Sequence, residues 1–443
     1  MDPTLSARTT TKVVLKNGGE RDPFPVDKSK KSLLESAHKE NSPLEKNRFS
    51  PVEKGDFAMQ YELTEEQVLL RDMVRKLAKE KVEPGAAARD QKGEFSWEMV
   101  ELLRENGLLG VDFSEEYGGS EAGLLSLIIV CEELSKVDAS VGILPVGQEL
   151  GTLPILLAAN SEQKKKFLPP LATGEKLAAF ALTEASGGSD VASFRCKAVR
   201  KGDFYILNGS KTFITNGGVA ETVAVYALTD PAKGGHKGAS VFVVEKGTKG
   251  FSVGKHEDKL GIRSSDTVEL IFEDCPVPAE NLLTQEGLGF AIMMKTLDFS
   301  RPAVGAQALG IAAGAFEYAL NYAKERVAFG KPIIAHQGIS FKLADMAMDI
   351  EASRQLLYKT AAVLQELPKD MSRISPETIR LSSMSKCFCS DVAMRVTVEA
   401  VQVLGGYGYV KEYPVERYMR DAKITQIYEG TNEIQRVVIA STF

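Results

Sequence analysis

Positive charge, cysteine and histidine are all scarce in this sequence, and each shortage removes a class of function. Lys and Arg total 54 against 60 Asp and Glu, a formal net charge of -6. No basic field exists to gather phosphate backbones and no Lys/Arg stripe is interleaved with aromatics, so nucleic acid is not an expected partner. The five cysteines, Cys131, Cys196, Cys275, Cys387 and Cys389, are odd in number and lack C-x-x-C spacing. With no secretory signal before them, they are expected to be free thiols in a reducing compartment. The four histidines, His38, His236, His256 and His336, are scattered, so zinc spacing is missing and no metal site is expected. No run approaches the ~20 apolar residues of a bilayer span. The best candidate is the short run Leu124 to Cys131, and no membrane span is expected. Nucleotide and hydrolase signatures are missing too. No G-x-G-x-x-G follows a strand, Gly330-Lys331 lacks the upstream glycine of a phosphate-binding loop, and no serine lies in G-x-S-x-G.

What remains is a chain of 443 residues, 44% apolar and 26% charged, the balance of a globular protein with more than one structural unit. Residues 1–58 are dense in Lys, Glu, Asp, Ser and Pro and read as a flexible N-terminal arm. Glu20, Asp22, Asp27, Glu35, Glu40 and Glu45 argue against a mitochondrial presequence there. Residues 59–177 read as a helical domain. Thr64-x-x-Gln67 is a capping box, a second helix starts at Ser96 and stops at Gly107, a third covers Leu124 to Val137, and Pro154, Pro169 and Pro170 punctuate the end. Residues 178–286 turn to short β-rich runs, with Asn208-Gly209 read as a two-residue hairpin turn. Residues 287–443 are helical again, with periodic segments near 288–326, 337–366, 376–403, 414–423 and 432–441 that suggest an antiparallel bundle. The expected class is α+β, mostly α, without the βαβ rhythm of a dinucleotide fold.

Three polar, glycine-rich stretches could carry chemistry. Thr183 to Asp190 follows an apolar run, and its backbone could approach a ligand closely; it reads equally as a strand-ending turn. Val403-Leu-Gly-Gly-Tyr-Gly-Tyr409 reads also as a helix stop. In Tyr428-Glu-Gly-Thr-Asn-Glu-Ile-Gln435, Asn432-x-x-Gln435 looks like a helix cap with Glu429 just before it. A carboxylate between an aromatic and a glycine can act as a general base if apolar neighbours raise its pKa, and it can equally be a solvated turn residue.

These stretches, in this order, resemble the acyl-CoA dehydrogenase family from Tyr61 to the end. The likeness rests on Leu182-Thr-Glu…Gly188-Ser-Asp190, Phe213-Ile-Thr-Asn216, Arg326-Val-Ala-Phe-Gly-Lys331, His336-Gln337, Gln402-Val-Leu-Gly-Gly406 and Tyr428-Glu-Gly-Thr431. The resemblance implies an N-terminal helical domain, a central β-barrel-like domain and a C-terminal four-helix bundle, with FAD between the last two and a neighbouring subunit of a homotetramer. It implies flavin contacts from Phe180, Leu182, Thr183, Gly188, Ser189, Phe213, Ile214 and Thr215. It implies contacts to the adenosine diphosphate part from Arg326, Phe329, Gln337, Gln402, Val403, Gly405 and Gly406, with Thr431 and Glu433 completing the cofactor site. Asp298 and Arg301 fall near the CoA moiety, Ser189 near the thioester, and Tyr428 and Gly430 beside the acyl chain.

Glu429 falls on the family's catalytic glutamate, which removes the α-proton of an acyl-CoA while the β-hydrogen leaves as hydride, giving a trans-2-enoyl-CoA. Its backbone N–H and the ribityl chain of FAD would polarise the thioester oxygen. Electron-transfer flavoprotein is the implied electron acceptor. The implied location is the cytoplasm of a bacterium, or the mitochondrial matrix if the chain is eukaryotic. Two departures stand out: Ala185 where the family has Pro, and Phe213 where it has Trp. An acyl-CoA oxidase and a non-enzymatic assembly or binding relative are the alternatives. The first is disfavoured because oxidases carry a further C-terminal domain after the glutamate helix, the second because Glu429 is present. The segments Ser300 to Met348 and Val141 to Ile155 lean toward medium-chain and short-chain members.

Overall fold

Thr64 opens the described chain with a reciprocal cap. Its hydroxyl accepts from Gln67 N at 3.2 Å, and Gln67 Oε1 accepts from Thr64 N at 3.1 Å, as the capping box predicts. The computed structural model describes residues 63–443, so the arm expected over residues 1–58 lies outside the described residues. Helix α1 (Glu65–Leu77) is followed by α2 (Ala86–Lys92), α3 (Trp97–Glu105), α4 (Gly123–Ser135), α5 (Ala139–Ala158) and α6 (Ser161–Ala172). Ser96 precedes α3 as expected, yet its side chain makes no capping bond.

The prolines do not punctuate. Pro154, with Pro145, lies inside α5, and Pro169 and Pro170 lie inside α6. Nearly every residue of α5 is buried, and burial on all sides outweighs the lost backbone bonds that proline imposes. Helices α5 and α7 (Gly289–Glu325) are also long and apolar enough to cross a membrane, which the reading of short apolar runs did not anticipate. Their most apolar windows are 94% and 78% buried inside the fold, as expected of core helices.

The central sheet has seven strands: β1 (Ala178–Ala181), β2 (Lys197–Lys201), β3 (Phe204–Thr215), β4 (Thr222–Leu228), β5 (Ala239–Glu245), β6 (Phe251–His256) and β7 (Thr267–Pro278). They run in the order β1-β4-β2-β3-β7-β6, with β5 paired to β4. Asn208-Gly209 is not a hairpin turn. Strand β3 continues through it, and the register against β7 shifts between Leu207 and Gly209. A Cβ on Gly209 would sit 2.7 Å from Cys196 Cα, just before β2, so the glycine permits close backbone approach at an irregularity. Asn208 bonds instead across to Asp274, accepting from its N–H at 2.8 Å.

The last third holds α7, a small hairpin of β8 (Val327–Ala328) and β9 (Lys331–Pro332), then α8 (Gln337–Gln365), α9 (Pro376–Leu404), α10 (Val415–Thr425) and α11 (Asn432–Ala440). Ser375 caps α9 with Pro376 in its first turn, and Gly405 ends it at φ +63°. Helix α7 packs against α8, α9, α4 and α5. A buried polar cluster ties the two helical regions together: Glu132 of α4 accepts from Arg354 Nη2 at 2.9 Å and Tyr358 Oη at 2.8 Å, both on α8. All five cysteines are buried and unpaired.

Candidate active site

Between α10 and α11 the chain makes a tight turn, Tyr428-Glu429-Gly430, with Glu429 at φ +52° and Gly430 at φ +89°. A glutamate in that region is uncommon and persists where its surroundings over-determine it. Here they do. Tyr428 Oη donates to Gln307 Oε1 on α7, and Gln307 Nε2 donates to Ala139 O at the start of α5 at 2.9 Å. Lys386 Nζ on α9 donates to Gly430 O at 2.8 Å and Asn432 Oδ1 at 2.9 Å. Gln435 Nε2 donates to the carbonyls of Glu429 and Gly430, each at 3.0 Å. The helix cap is Thr431, whose hydroxyl accepts from Ile434 N at 3.3 Å, and not Asn432. Asn432 is already helical, and its side chain is taken up by Ser390 and Asp391 at 2.8 Å each.

The carboxyl of Glu429 is half-buried and accepts a hydrogen bond from Ser300 Oγ at 2.7 Å. Burial raises its pKa above the ordinary carboxylate value, partly offset by Ser300, Arg301 and Lys386. Beside it, Arg301 Nη1 pairs with Asp298 Oδ1 at 2.7 Å and donates to Ser383 Oγ at 3.2 Å, while Arg301 Nε has no partner among the described residues. Burial pushes the Asp298 carboxyl up to about 6 despite that pair, and lowers Lys386 to about 8. Asp298 and Arg301 are thus buried within a turn of α7 from Ser300. Ser300 and Lys386 escaped the sequence reading, because a serine or lysine inside a long helix has no signature until the facing turn is known.

A base must be ionised to act, so its rate rises with pH through its pKa. In Ser300→Ala the group that holds the Glu429 pKa down is gone. The rising limb of kcat/KM against pH should therefore move to higher pH by about one unit or more, the size of a hydrogen bond to a charged group. An unmoved limb would show that Ser300 does not tune this carboxyl.

The flavin-loop candidates gather at the end of the sheet. Thr212 N donates to Thr183 O at 2.9 Å, joining the Leu182–Gly188 loop to β3. Beneath it, Lys211 Nζ bonds Glu184 Oε1 at 2.7 Å and Leu182 O at 3.1 Å, and Glu184 also accepts from the N–H groups of Arg195 and Cys196 at 2.7 and 3.1 Å. Phe213 stands at φ +58° and is 62% exposed, whereas Ile214 is buried and Phe180 packs on Tyr226. Ser189 and Gly188 lie exposed on the loop, and Ala185 is exposed beside them.

Two clefts hold most of the other candidates. One, of about 460 Å³, is lined by Arg326, Val403, Gly405, Gly406 and Tyr407 among others. The second, of about 390 Å³, is lined by Gln426, Ile427, Thr431, Asn432 and Glu433 with Asp391 and Arg436. They do not meet. Asn432 contacts α9 as far as Asp391, and Gly405 lies fourteen residues further along (405 − 391), which is about 21 Å at the rise of an α-helix. Near the first cleft Phe329 is 94% exposed at φ +54°, and Gln337 is exposed at the start of α8.

This donor set fits FAD. A Cβ on Gly405 or Gly406 would meet nothing within 4 Å, leaving backbone open to a close-lying group. Arg326 supplies a cation for phosphate, and the exposed Phe213 ring offers a face to a flat ring system.

Comparison with known proteins gives one answer. Residues 64–175, 179–275 and 287–443 match the models of the N-terminal, middle and C-terminal domains of acyl-CoA dehydrogenase. The chain is 50% identical over 384 residues to the short-chain specific acyl-CoA dehydrogenase of Clostridium acetobutylicum, covering 86% of this chain and 99% of the relative. The butyryl-CoA dehydrogenase structure from Megasphaera elsdenii superposes with a TM-score of 0.83 at 48% identity, covering 86% and 99% of the two chains. A chain from work on the electron transferring flavoprotein of Acidaminococcus fermentans and flavin-based electron bifurcation superposes with a TM-score of 0.82 at 48% identity, covering 86% and 98%.

Proposed function

The chain belongs to the acyl-CoA dehydrogenase family of FAD-dependent oxidoreductases, and from that premise we propose that Glu429 is its catalytic base and short acyl-CoA thioesters its substrates. The observation that carries the reading is the Glu429 carboxyl itself: half-buried, raised in pKa, and carried on a strained turn held by bonds from three helices. Such a group binds a proton more readily than a solvated carboxylate and keeps one aim. The relatives' names support the short chain length.

In this reading the acyl thioester lies with its α-carbon against Glu429, whose carboxylate takes the α-proton. The Glu429 N–H donates to no group among the described residues, which leaves it free to bond the thioester oxygen, where charge develops as that proton leaves. Bound FAD supplies a two-electron acceptor for the β-hydrogen. Phe180, Leu182, Thr183, Gly188, Ser189 and Phe213 to Thr215 hold the flavin end, and Thr431 and Glu433 the adjoining part. Arg326, Phe329, Gln337 and Gln402 to Gly406, lying about 21 Å along α9 from the second cleft, serve the cofactor of a neighbouring subunit in a homotetramer. Asp298, Arg301, Tyr428 and Gly430 shape the substrate side. The same reading divides the chain near 177/178 and 286/287.

The test is an anaerobic titration of the purified flavoprotein with a panel of acyl-CoA thioesters, following flavin absorbance. Bleaching by butanoyl- and hexanoyl-CoA is expected, and a flavin that no acyl-CoA reduces would overturn the assignment. Equilibrium sedimentation at four chain masses, lost with FAD in Arg326→Ala, tests the shared site. Electron-transfer flavoprotein is the electron acceptor we infer, supported by the Acidaminococcus relative; reoxidation of the bleached enzyme by that protein, and not by air alone, checks it. The named relatives are bacterial, which favours the cytoplasm of the two locations, and cell fractionation decides it.

A further inference from the structure

The loop of residues 257–266, between β6 and β7, serves none of the roles above, yet most of its second half is buried and both of its sides are fastened. One side meets the end of β3, where the flavin candidates Phe213 to Thr215 lie. Asn216 N donates to Asp266 O at 3.0 Å, and Gly218 N donates to Asp266 Oδ2 at 2.7 Å. The other side meets α10. Ile262 N donates to the buried Asp421 Oδ1 at 2.6 Å, and Arg420 Nη1 donates to Leu260 O at 3.0 Å. A Cβ on Gly261 would lie 2.3 Å from Arg420 O, so loop and helix backbones are in direct contact. Helix α10 leads into the base turn, where Tyr428 N donates to Ile424 O at 3.1 Å.

Between those two sides the loop is tied to itself and to α2. Lys259 Nζ donates to Ser265 O at 2.8 Å and Ser265 N to Ile262 O at 3.0 Å. Arg263 Nε donates to Asp90 O at 3.0 Å, and the Asp90 carboxylate in turn accepts from Arg420 Nη2 at 2.7 Å. Ile262 stands at φ +42°, an outlier for a β-branched residue that persists where its surroundings fix it. Phe213 at +58°, Asn216 at +60° and Glu429 at +52° share that region. Strained backbone therefore lies along one path, from the flavin candidates through the loop to the base.

Resting on the family reading, we propose that residues 260–266 are a rigid brace that sets the separation of the flavin from Glu429, with Asp421 and Asp266 as its positioning residues. The chemistry needs such a part. The α-hydrogen leaves as a proton to the Glu429 carboxylate, the β-hydrogen leaves with its electron pair to bound FAD, and the pair left at the α-carbon closes the double bond. Base and flavin must therefore face one carbon–carbon bond together, although they are carried by different domains, the C-terminal helices and the central sheet. A misplacement of about 1 Å, set far from the reacting atoms, is enough to cost about 10²-fold in rate.

The experiment uses the FAD-loaded enzyme as wild type, Asp421→Ala, Gly261→Ala and Asp421→Asn. The first variant cuts the brace from α10, the second wedges the two apart, and the third keeps an oxygen acceptor for Ile262 N. Stopped-flow flavin reduction at saturating butanoyl-CoA should slow by about 10- to 100-fold in Asp421→Ala and Gly261→Ala with half-saturation little changed, and Asp421→Asn should recover most of the rate. A 3-thia-acyl-CoA gives a second readout, because sulfur at the β-position leaves a proton for Glu429 and no hydride for the flavin. Its anion should give a charge-transfer absorption against the oxidised flavin in the wild type, and a weaker one in the cut and wedged variants. Without any thioester, amide exchange in Asp421→Ala should quicken across the loop and at Asn216 and Gly218, whose N–H groups it holds. If Asp421→Ala fails to fold, Gly261→Ala carries the same comparisons. Wild-type reduction and charge transfer in the variants while loop exchange quickens, a rate lost only in proportion to lost FAD, or an Asp421→Asn as slow as Asp421→Ala overturns the brace. A wild type that no acyl-CoA bleaches would overturn the family reading instead, and the exchange result stands apart from it.

Discussion

Glu429→Gln should retain bound FAD and acyl-CoA affinity while turnover falls by about 10²- to 10⁴-fold, the usual weight of a positioned general base. The substitution is nearly isosteric. The glutamine amide can still meet Ser300 Oγ, which now bonds the carboxylate at 2.7 Å, and the turn remains fastened by Lys386, Gln435 and Tyr428 through bonds that do not involve the carboxyl. What is lost is the ability to take a proton. Stopped-flow flavin reduction with butanoyl-CoA separates binding from chemistry, since a complex should form at unchanged acyl-CoA concentration and then fail to bleach. Reduction within tenfold of the wild type would mean that another group removes the α-proton.

The second large effect is on stability. Lys211→Met removes the cation from a pair with both members buried, 0% exposed for the lysine and 6% for Glu184. Breaking such a pair leaves the remaining charge unpaired and costs about 3–5 kcal/mol. Glu184 would keep the N–H groups of Arg195 and Cys196 as partners, but Leu182 O would lose its own. The denaturant midpoint should fall, and FAD should dissociate more readily, because Lys211 holds the start of the flavin loop. Adding Glu184→Gln should restore part of the loss. A single variant that loses less than about 1 kcal/mol would show that the pair contributes no more than an exposed one.

How much of this was legible beforehand depended on whether the signal was local. The Thr64 capping box and the α7, α8 and α9 boundaries were readable because caps and helical periodicity act within a few residues. Asn208-Gly209 misled for the opposite reason. Its turn chemistry is real, but the pairing of β3 with both β2 and β7 converts it into an irregularity within one strand. The prolines of α5 misled likewise, since their tolerance comes from burial by elements far away in sequence. At the site, Glu429 could be picked out as a carboxylate before a helix, yet Ser300 is 129 residues away and Lys386 another 43 from the turn (429 − 300 and 429 − 386). Residue type could not reveal them.

The Tyr428-Glu429-Gly430 turn is pinned at one end to α7 through Gln307 and at the other to α9 through Lys386. The aim of the carboxyl is consequently a readout of how those two helices are spaced. A Cβ on Gly305 of α7 would lie 3.1 Å from Leu357 Cδ1 and 3.5 Å from Ser385 O, one residue before that lysine. Drift at this remote seam, by mutation or by divergence, would retune the base without altering any group that meets substrate.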